Sequence, residues 1–423
     1  MKSLRVRRFK KLYEKVLLSR IFALVMGWLF SVALPSAIYW GPQVLQNANA
    51  GQKTAIIVTS LAFFLSHFGA KSLLSNYPGG RSQGLISTQV VICYGIFIIG
   101  ALLLRIEVSR VLLISSGIAA VVWFQIEYIT TRTYFKPKLA IIPGGFAEEV
   151  LALPGCDVRP LIDLDLNGIR YDGIVADFER LSPQEERFLT RCALENIPVY
   201  NAKTVYESLT GRVKIDKMSE NNIGSLLPSS AYETCKAIID WVIVVATIPV
   251  VVPIALLTAL LIRLESSGPV IYSQSRVGRG NRTFTIYKFR SMRVINNAIE
   301  KFADEEDPRV TRIGKIIRKL RIDELPQFLS VLRGEMSLIG PRPEQPSFVK
   351  EFNDKIPFYS YRHVVKPGIT GWAQVRQGYA ADSDETRVKI EHDFYYIKNC
   401  SLSLDFFIVF LTLKTMFTGF GAR

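Results

Sequence analysis

A membrane protein of mixed α and α/β build is what this sequence predicts: four transmembrane helices, a small Rossmann-like α/β module, then a re-entrant membrane helix with a mostly helical cytoplasmic domain. Three observations predict it. Apolar runs near residues 21–39, 54–70, 86–104 and 111–130 are each long enough to cross a bilayer. Strand-like and helical patterns alternate between residues 138 and 200, and a later apolar run at 236–263 is interrupted by prolines. The 423 residues are 49% hydrophobic and 11% aromatic, which excludes a disordered or fibrous chain.

The first 20 residues carry eight Lys or Arg against the single acid Glu14, so the chain is read as starting on the cytoplasmic side. The first connection, 41–52, has no basic residue, whereas the second holds Lys71 and Arg81. Arg132, Lys136 and Lys138 follow the fourth run, and four spans with both ends inside is the simplest topology. These spans make up an expected region 1–135. His67, in the second run, is read as packing between helices rather than as a proton relay.

Residues 136–226 form the expected Rossmann-like module, with strands over 138–145, 171–178 and 197–200 and a Ser-Pro-capped helix over 182–196. Its glycine pair, Gly144-Gly145, lacks the GxGxxG spacing, and Glu148 and Glu149 stand where a pyrophosphate would meet a helix start. A regulatory or structural role is therefore expected, not a dinucleotide site. The run 236–263 contains Asp240, Pro249 and Pro253 and has basic residues on both flanks, which predicts entry and exit on one face.

A formal charge of +15 admits nucleic acid, anionic lipid or phosphorylated substrates as partners. Nucleic acid is disfavoured because the basic residues sit in rigid turns with no interleaved aromatic platform. Five cysteines without a CxxC pair and only three histidines leave any metal to oxygen ligands. Six basic residues, Arg309, Arg312, Lys315, Arg318, Lys319 and Arg321, lead without an intervening acid into Asp323 and Glu324. Guanidinium groups clamp phosphate while a carboxylate attacks or holds magnesium. A lipid-headgroup face ending in a helix cap accounts for the same pattern equally well.

Six motifs stand in order after residue 287: KFRSM (288–292), DPRVTRIGKIIRK (307–319), IDELPQ (322–327), MSLIGPRPE (336–344), KPGITGWAQV (366–375) and DFYYIKN (393–399). With them residues 231–423 resemble the bacterial sugar transferases, the monotopic phosphoglycosyl transferases. Spans and module together look like the large polyprenyl-phosphate galactose or glucose phosphotransferase type of exopolysaccharide biosynthesis. The resemblance implies transfer of a sugar 1-phosphate from a UDP-sugar to undecaprenyl phosphate, with release of UMP, as the first membrane step of glycan assembly. It implies Asp323 as nucleophile of a covalent aspartyl-phosphosugar intermediate, Glu324 as its partner, and Mg2+ at Asp323 and Glu324. Lys288, Arg290, Arg318, Arg342 and Arg362 are the expected phosphate-binding residues, and Pro253 the expected break of the membrane helix.

Two departures bear on that helix: Val252 stands before Pro253 where the family has serine, and Ala237 follows Lys236 where it has arginine. The implied location is the bacterial inner membrane, multi-pass, with the catalytic domain on the cytoplasmic face. Expected partners are the two substrates, membrane lipids, a second copy in a homodimer and downstream glycosyltransferases. A catalytically silent scaffold that recruits such proteins is the alternative, and the intact acid pair speaks against it.

Overall fold

A computed structural model describes residues 16, 19–76, 83–106, 108–134, 138–153, 157–215, 227–293, 309–377 and 383–418. Most of the basic amino terminus, Arg81, Lys136 and the start of the DPRVTRIGKIIRK motif lie outside the described residues. The chain divides into two compact units, Met1–Gly211 and Arg212–Arg423.

The first unit opens with helices α1 (Arg20–Trp40), α2 (Ala50–Asn76), α3 (Gln83–Leu103) and α4 (Arg110–Tyr134). Ser19 caps α1 by accepting the Phe22 amide at 3.1 Å. Val32, Ala62, Phe63, Val90, Tyr94, Leu113, Ala120 and Phe124 form the buried centre of these helices. Trp28 donates to Ser60 at 2.9 Å, and Tyr94 and Ser116 share a bond at 2.9 Å, so polar groups among apolar helices find partners. His67 lies buried among Phe63, Phe68 and Phe124.

Strands β1 (Lys138–Ile141), β2 (Asp157–Pro160), β3 (Gly173–Ala176) and β4 (Val199–Asn201) make a parallel sheet in the order β2-β1-β3-β4. Helix α5 (Ala147–Leu151) follows β1, α6 (Pro183–Leu194) follows β3, and α7 (Ala202–Thr210) follows β4. Alternate strand residues serve opposite faces. Ala140, Ile174 and Ala176 pack with Phe188, Leu189 and Cys192 of α6, while Ile141 and Val175 pack with Val150, Ala202 and Tyr206. Ser182 and Glu185 close a reciprocal capping box, the physical content of the Ser-Pro start read in the sequence.

In the second unit, α8 (Ser230–Glu265) runs as one helix of 36 residues with Pro249 and Pro253 inside it. Helical backbone thus continues through the position where a break was expected at Pro253. Each proline removes one amide donor from the ladder. Near its start α8 buries Asp240 and Val244, and near its end Thr258 and Ile262, while Val245, Ile248, Val250, Val252 and Ile254 between them are exposed. Three described helices are long and apolar enough to cross a membrane: α1, Arg110–Thr130 and α8; the apolar part of α3, Gln89–Leu102, is shorter.

An antiparallel hairpin, β5 (Ile271–Val277) and β6 (Thr283–Phe289), precedes α9 (Arg312–Lys319), a 3-10 turn (Ile322–Gln327) and α10 (Phe328–Leu332). Then come β7 (Ser337–Ile339), α11 (Pro346–Lys355), β8 (Gly368–Thr370) and α12 (Trp372–Arg376), with β7 and β8 parallel. Helices α13 (Ser383–Lys398) and α14 (Leu402–Thr418) complete the unit. The buried side chains Trp372, Tyr359, Phe394, Tyr395 and Tyr396 form its aromatic centre.

Candidate active site

The acid pair is placed by contacts that seat the helix before it, one local cap and others from distant segments. Thr311 caps α9 by accepting the Gly314 amide at 2.9 Å, and its own amide donates to the Ser291 carbonyl at 3.1 Å. Glu265, the last residue of α8, accepts the next amides of α9, Arg312 at 2.7 Å and Ile313 at 3.0 Å. Gly314 abuts the Ser291 carbonyl, where a Cβ would collide with it. At the far end of α9, Arg321 takes a left-handed conformation with φ 55°, which turns the chain into the 3-10 segment and puts Asp323 and Glu324 in its first turn.

Glu324 is buried and held from several sides. Its Oε1 accepts from Arg342 Nη2 at 2.9 Å and from Lys288 Nζ at 3.2 Å, and its Oε2 lies 3.6 Å from Arg321 Nη1. Burial alone would raise its pKa, yet the charges of Arg342, Lys288 and Arg321 win and hold it far below the usual carboxylate range. Asp323 is different. It makes no hydrogen bond or ion pair among the described residues, and burial, then the adjacent Glu324 charge, push its pKa up, with Lys288, Arg342 and Arg318 opposing. Lys288 is itself pushed down, by burial first. One acid is thus locked as an anion among cations, and its neighbour is an unengaged carboxylate that titrates later.

Of the cations expected near phosphate, the structure brings Lys288, Arg318 and Arg342 to the dyad. Arg318 is held there by Ser291, whose Oγ accepts from its Nε at 2.8 Å. Arg290 and Arg362 are spent elsewhere. Arg290 donates to the Ser266 and Ser267 carbonyls at 2.8 and 2.7 Å, bracing the turn after α8. Arg362 is 2% exposed and donates to Asp393 at 2.8 Å, to Tyr359 at 2.9 Å and to the Arg342 carbonyl at 2.9 Å. Arg321, counted in the basic run but not among the expected phosphate-binding residues, joins the dyad as well.

Magnesium fits these residues in one way. Among the described residues no three His, Cys, Asp or Glu gather, so an all-protein cage is absent. Glu324 Oε2 is buried without a hydrogen-bond donor, and Asp323 is unengaged. Two carboxylates completed by substrate phosphate oxygens are a usual magnesium environment.

In the Rossmann-like module the glycine loop is already filled. Gly145 has φ 55°, and Asp177 Oδ2 accepts the Phe146 amide at 2.8 Å, the kind of donor that a phosphate would need. Lys236, the basic residue kept from the family's pair, donates to Asp405 at 2.9 Å, and Tyr232 and Tyr396 donate to the same carboxylate at 2.8 Å.

Apolar helices of spanning length, joined to an acid dyad inside a cationic cluster, mark a membrane enzyme that transfers an anionic group. The family model for bacterial sugar transferases matches residues 231–419. A UDP-N-acetylgalactosamine-undecaprenyl-phosphate N-acetylgalactosaminephosphotransferase of Aeromonas hydrophila is 48% identical over 422 residues, 99% of each chain. A UDP-glucose:undecaprenyl-phosphate glucose-1-phosphate transferase of Escherichia coli K12 is 40% identical over 43% of this chain and 39% of that protein. A galactosyl transferase of Streptococcus agalactiae serotype III is 43% identical over 38% of this chain and 37% of its own. The protein belongs to the bacterial sugar transferase family.

Proposed function

We propose that the protein transfers a sugar 1-phosphate from a UDP-sugar to undecaprenyl phosphate with Asp323 as nucleophile. The observation that carries this reading is the asymmetry of the dyad, one clamped acid beside one unengaged acid. An Asp323 carboxylate oxygen attacks the sugar-bearing phosphorus, the bond from that phosphorus to the bridging oxygen breaks, and UMP leaves with the bridging oxygen. A lipid phosphate oxygen then attacks the same phosphorus, forming the lipid diphosphate sugar and returning the Asp323 carboxylate. Lys288, Arg318, Arg321 and Arg342 against two carboxylates leave a formal excess of two positive charges, which suits a diphosphate. When bound, magnesium at Asp323 and Glu324 supplies further neutralisation of the diphosphate oxygens.

For the donor we propose UDP-N-acetylgalactosamine, on the strength of the 48% identity that extends over 99% of the Aeromonas hydrophila chain. Purified protein with undecaprenyl phosphate and magnesium is expected to release UMP from this donor at least about tenfold faster than from UDP-glucose or UDP-galactose. A glucose preference would move the assignment to the other relatives, and no release from any UDP-sugar by folded protein would overturn the reaction.

For the membrane arrangement we propose the inner membrane, four spans, and a re-entrant α8 that keeps the second unit on the cytoplasmic face. Support comes from both ends of α8 being fastened to the same unit. Near its start, Arg279 pairs with Glu233 at 2.9 Å and Ser337 donates to Asp240 at 2.6 Å; at its end, Glu265 holds α9. A straight helix of this length would extend roughly 54 Å, well beyond one bilayer core. Single cysteines beside Lys2 and Arg423, in a background without the native ones, should both resist an impermeant label in intact cells. Labelling at the carboxyl end alone would sink the hairpin.

A further inference from the structure

Arg342 lies in a Pro341-Arg342-Pro343-Glu344 segment whose two prolines have no amide to donate. The segment is held instead through its carbonyls, and four in succession are taken. The Gly368 amide donates to Pro341 O at 2.9 Å, Arg362 to Arg342 O at 2.9 Å, Arg276 to Pro343 O at 3.1 Å, and the Val277 amide to Glu344 O at 2.9 Å. Beyond them the Glu344 side chain accepts from Lys389 Nζ at 2.7 Å and lies 3.6 Å from Arg276 Nη1. Burial would raise the Glu344 pKa, but Lys389, Arg362 and Arg276 bring it down to about 2. The Arg342 side chain leaves this clamped backbone for Glu324.

Two of the clamping groups hang from one helix. On α13, Lys389 and Asp393 are four residues apart and so share a face. Lys389 grips Glu344, and Asp393 grips Arg362 at 2.8 Å, with both partners of that second pair 2% exposed. A fully buried ion pair is weak evidence for a contribution to stability, because desolvation offsets much of its attraction. What this one does visibly is orient the Arg362 fork, whose Nη2 reaches both Asp393 and the Arg342 carbonyl.

We propose that Asp393, acting through Arg362, and Lys389, acting through Glu344, are positioning residues for Arg342. The proposal rests on the reading of Arg342 as a phosphate-binding group. Helix α13 then serves the chemistry without touching substrate: it fixes the carbonyl from which the catalytic guanidinium departs, so that the side chain meets Glu324 in one pose.

The test is a double-mutant cycle on the full-length protein, reading kcat and KM for UMP release together with thermal unfolding. Asp393→Asn is expected to lower kcat by about tenfold or more with KM for the UDP-sugar changed less than about threefold. In an Arg342→Ala background the same Asp393→Asn change should cost less than about twofold, because the group it positions has gone. An equal loss in both backgrounds would make Asp393 merely structural and overturn the proposal. Lys389→Gln, at a pair left 13–16% exposed, carries the same cycle at a smaller factor and decides the matter if Asp393→Asn does not fold. Unchanged activity in Arg342→Ala alone would instead overturn the role given to Arg342, and the positioning with it.

Discussion

Asp323→Asn releases no UMP above background from any UDP-sugar, a loss on the order of 10⁴-fold or more, while inserting and folding as the parent does. The amide keeps the volume and removes the negative charge that makes the oxygen an effective nucleophile, so an effect of this size separates a nucleophile from a group that only binds phosphate. Substantial residual release, above about one part in a hundred, would move the nucleophile elsewhere. Two further readouts belong to the same variant. In the parent, burial and then the Glu324 charge raise the Asp323 pKa to about 6, so turnover should climb as pH rises through about 6 and then level off. The folded state holds this proton more tightly than the unfolded state does, so ionising Asp323 costs stability as pH rises from the ordinary aspartate range to about 6, and the loss levels off above that. Asn escapes that cost. The inactive variant should therefore melt no lower than the parent at pH 7.5, and a clear fall in its melting temperature would contradict the burial of an unengaged carboxylate.

Arg342→Ala is the second large effect, expected as a loss of about 10²–10³-fold in kcat. Arg342 carries one of the two closest charges on Glu324 Oε1, at 2.9 Å. Its removal leaves Glu324 to Lys288 and Arg321, in a setting where burial pushes the acid upward. Transition-state charge loses a donor, and the acid that orders the remaining cations loses its best partner. Arg342→Lys should recover only part of the loss, since an ammonium supplies charge but not the planar fork. Less than about tenfold loss in the alanine variant, measured as UMP release at saturating donor, would remove Arg342 from the chemistry.

The legible parts of this protein are those whose signal is local in the chain. Apolar runs, the Ser182 box and the alternation in the module each rest on neighbours within a few residues, and they reappear as α1 to α4, α6 and the parallel sheet. Strand β2 went unread because Asp157–Pro160 is four residues long, carries two charges and a proline, and sits at the sheet edge. At the dyad, charge alone pointed to a cationic surround but not to which cations belong to it. Arg290 and Arg362 are as basic and as close to turns as Lys288 and Arg342, yet their guanidiniums meet main-chain carbonyls and Asp393. That choice is made by elements far apart in sequence, as the separation of 31 positions from Arg362 to Asp393 illustrates. Arg321, read only as part of the basic run, was not assigned to the dyad for a different reason: its left-handed backbone, which aims it back at Glu324, has no signature in an arginine.

The contact between Gly314 and the Ser291 carbonyl sets the seat of α9 by main chain against main chain. Side chains can be exchanged over generations and repacked, whereas a peptide group cannot, and a Cβ at this glycine has nowhere to go. The dyad at the end of α9 therefore inherits its place from the one kind of contact that mutation cannot tune. Around it the side chains remain free to drift. A chain seated in this way can exchange the side chains around its acids without moving the acids themselves.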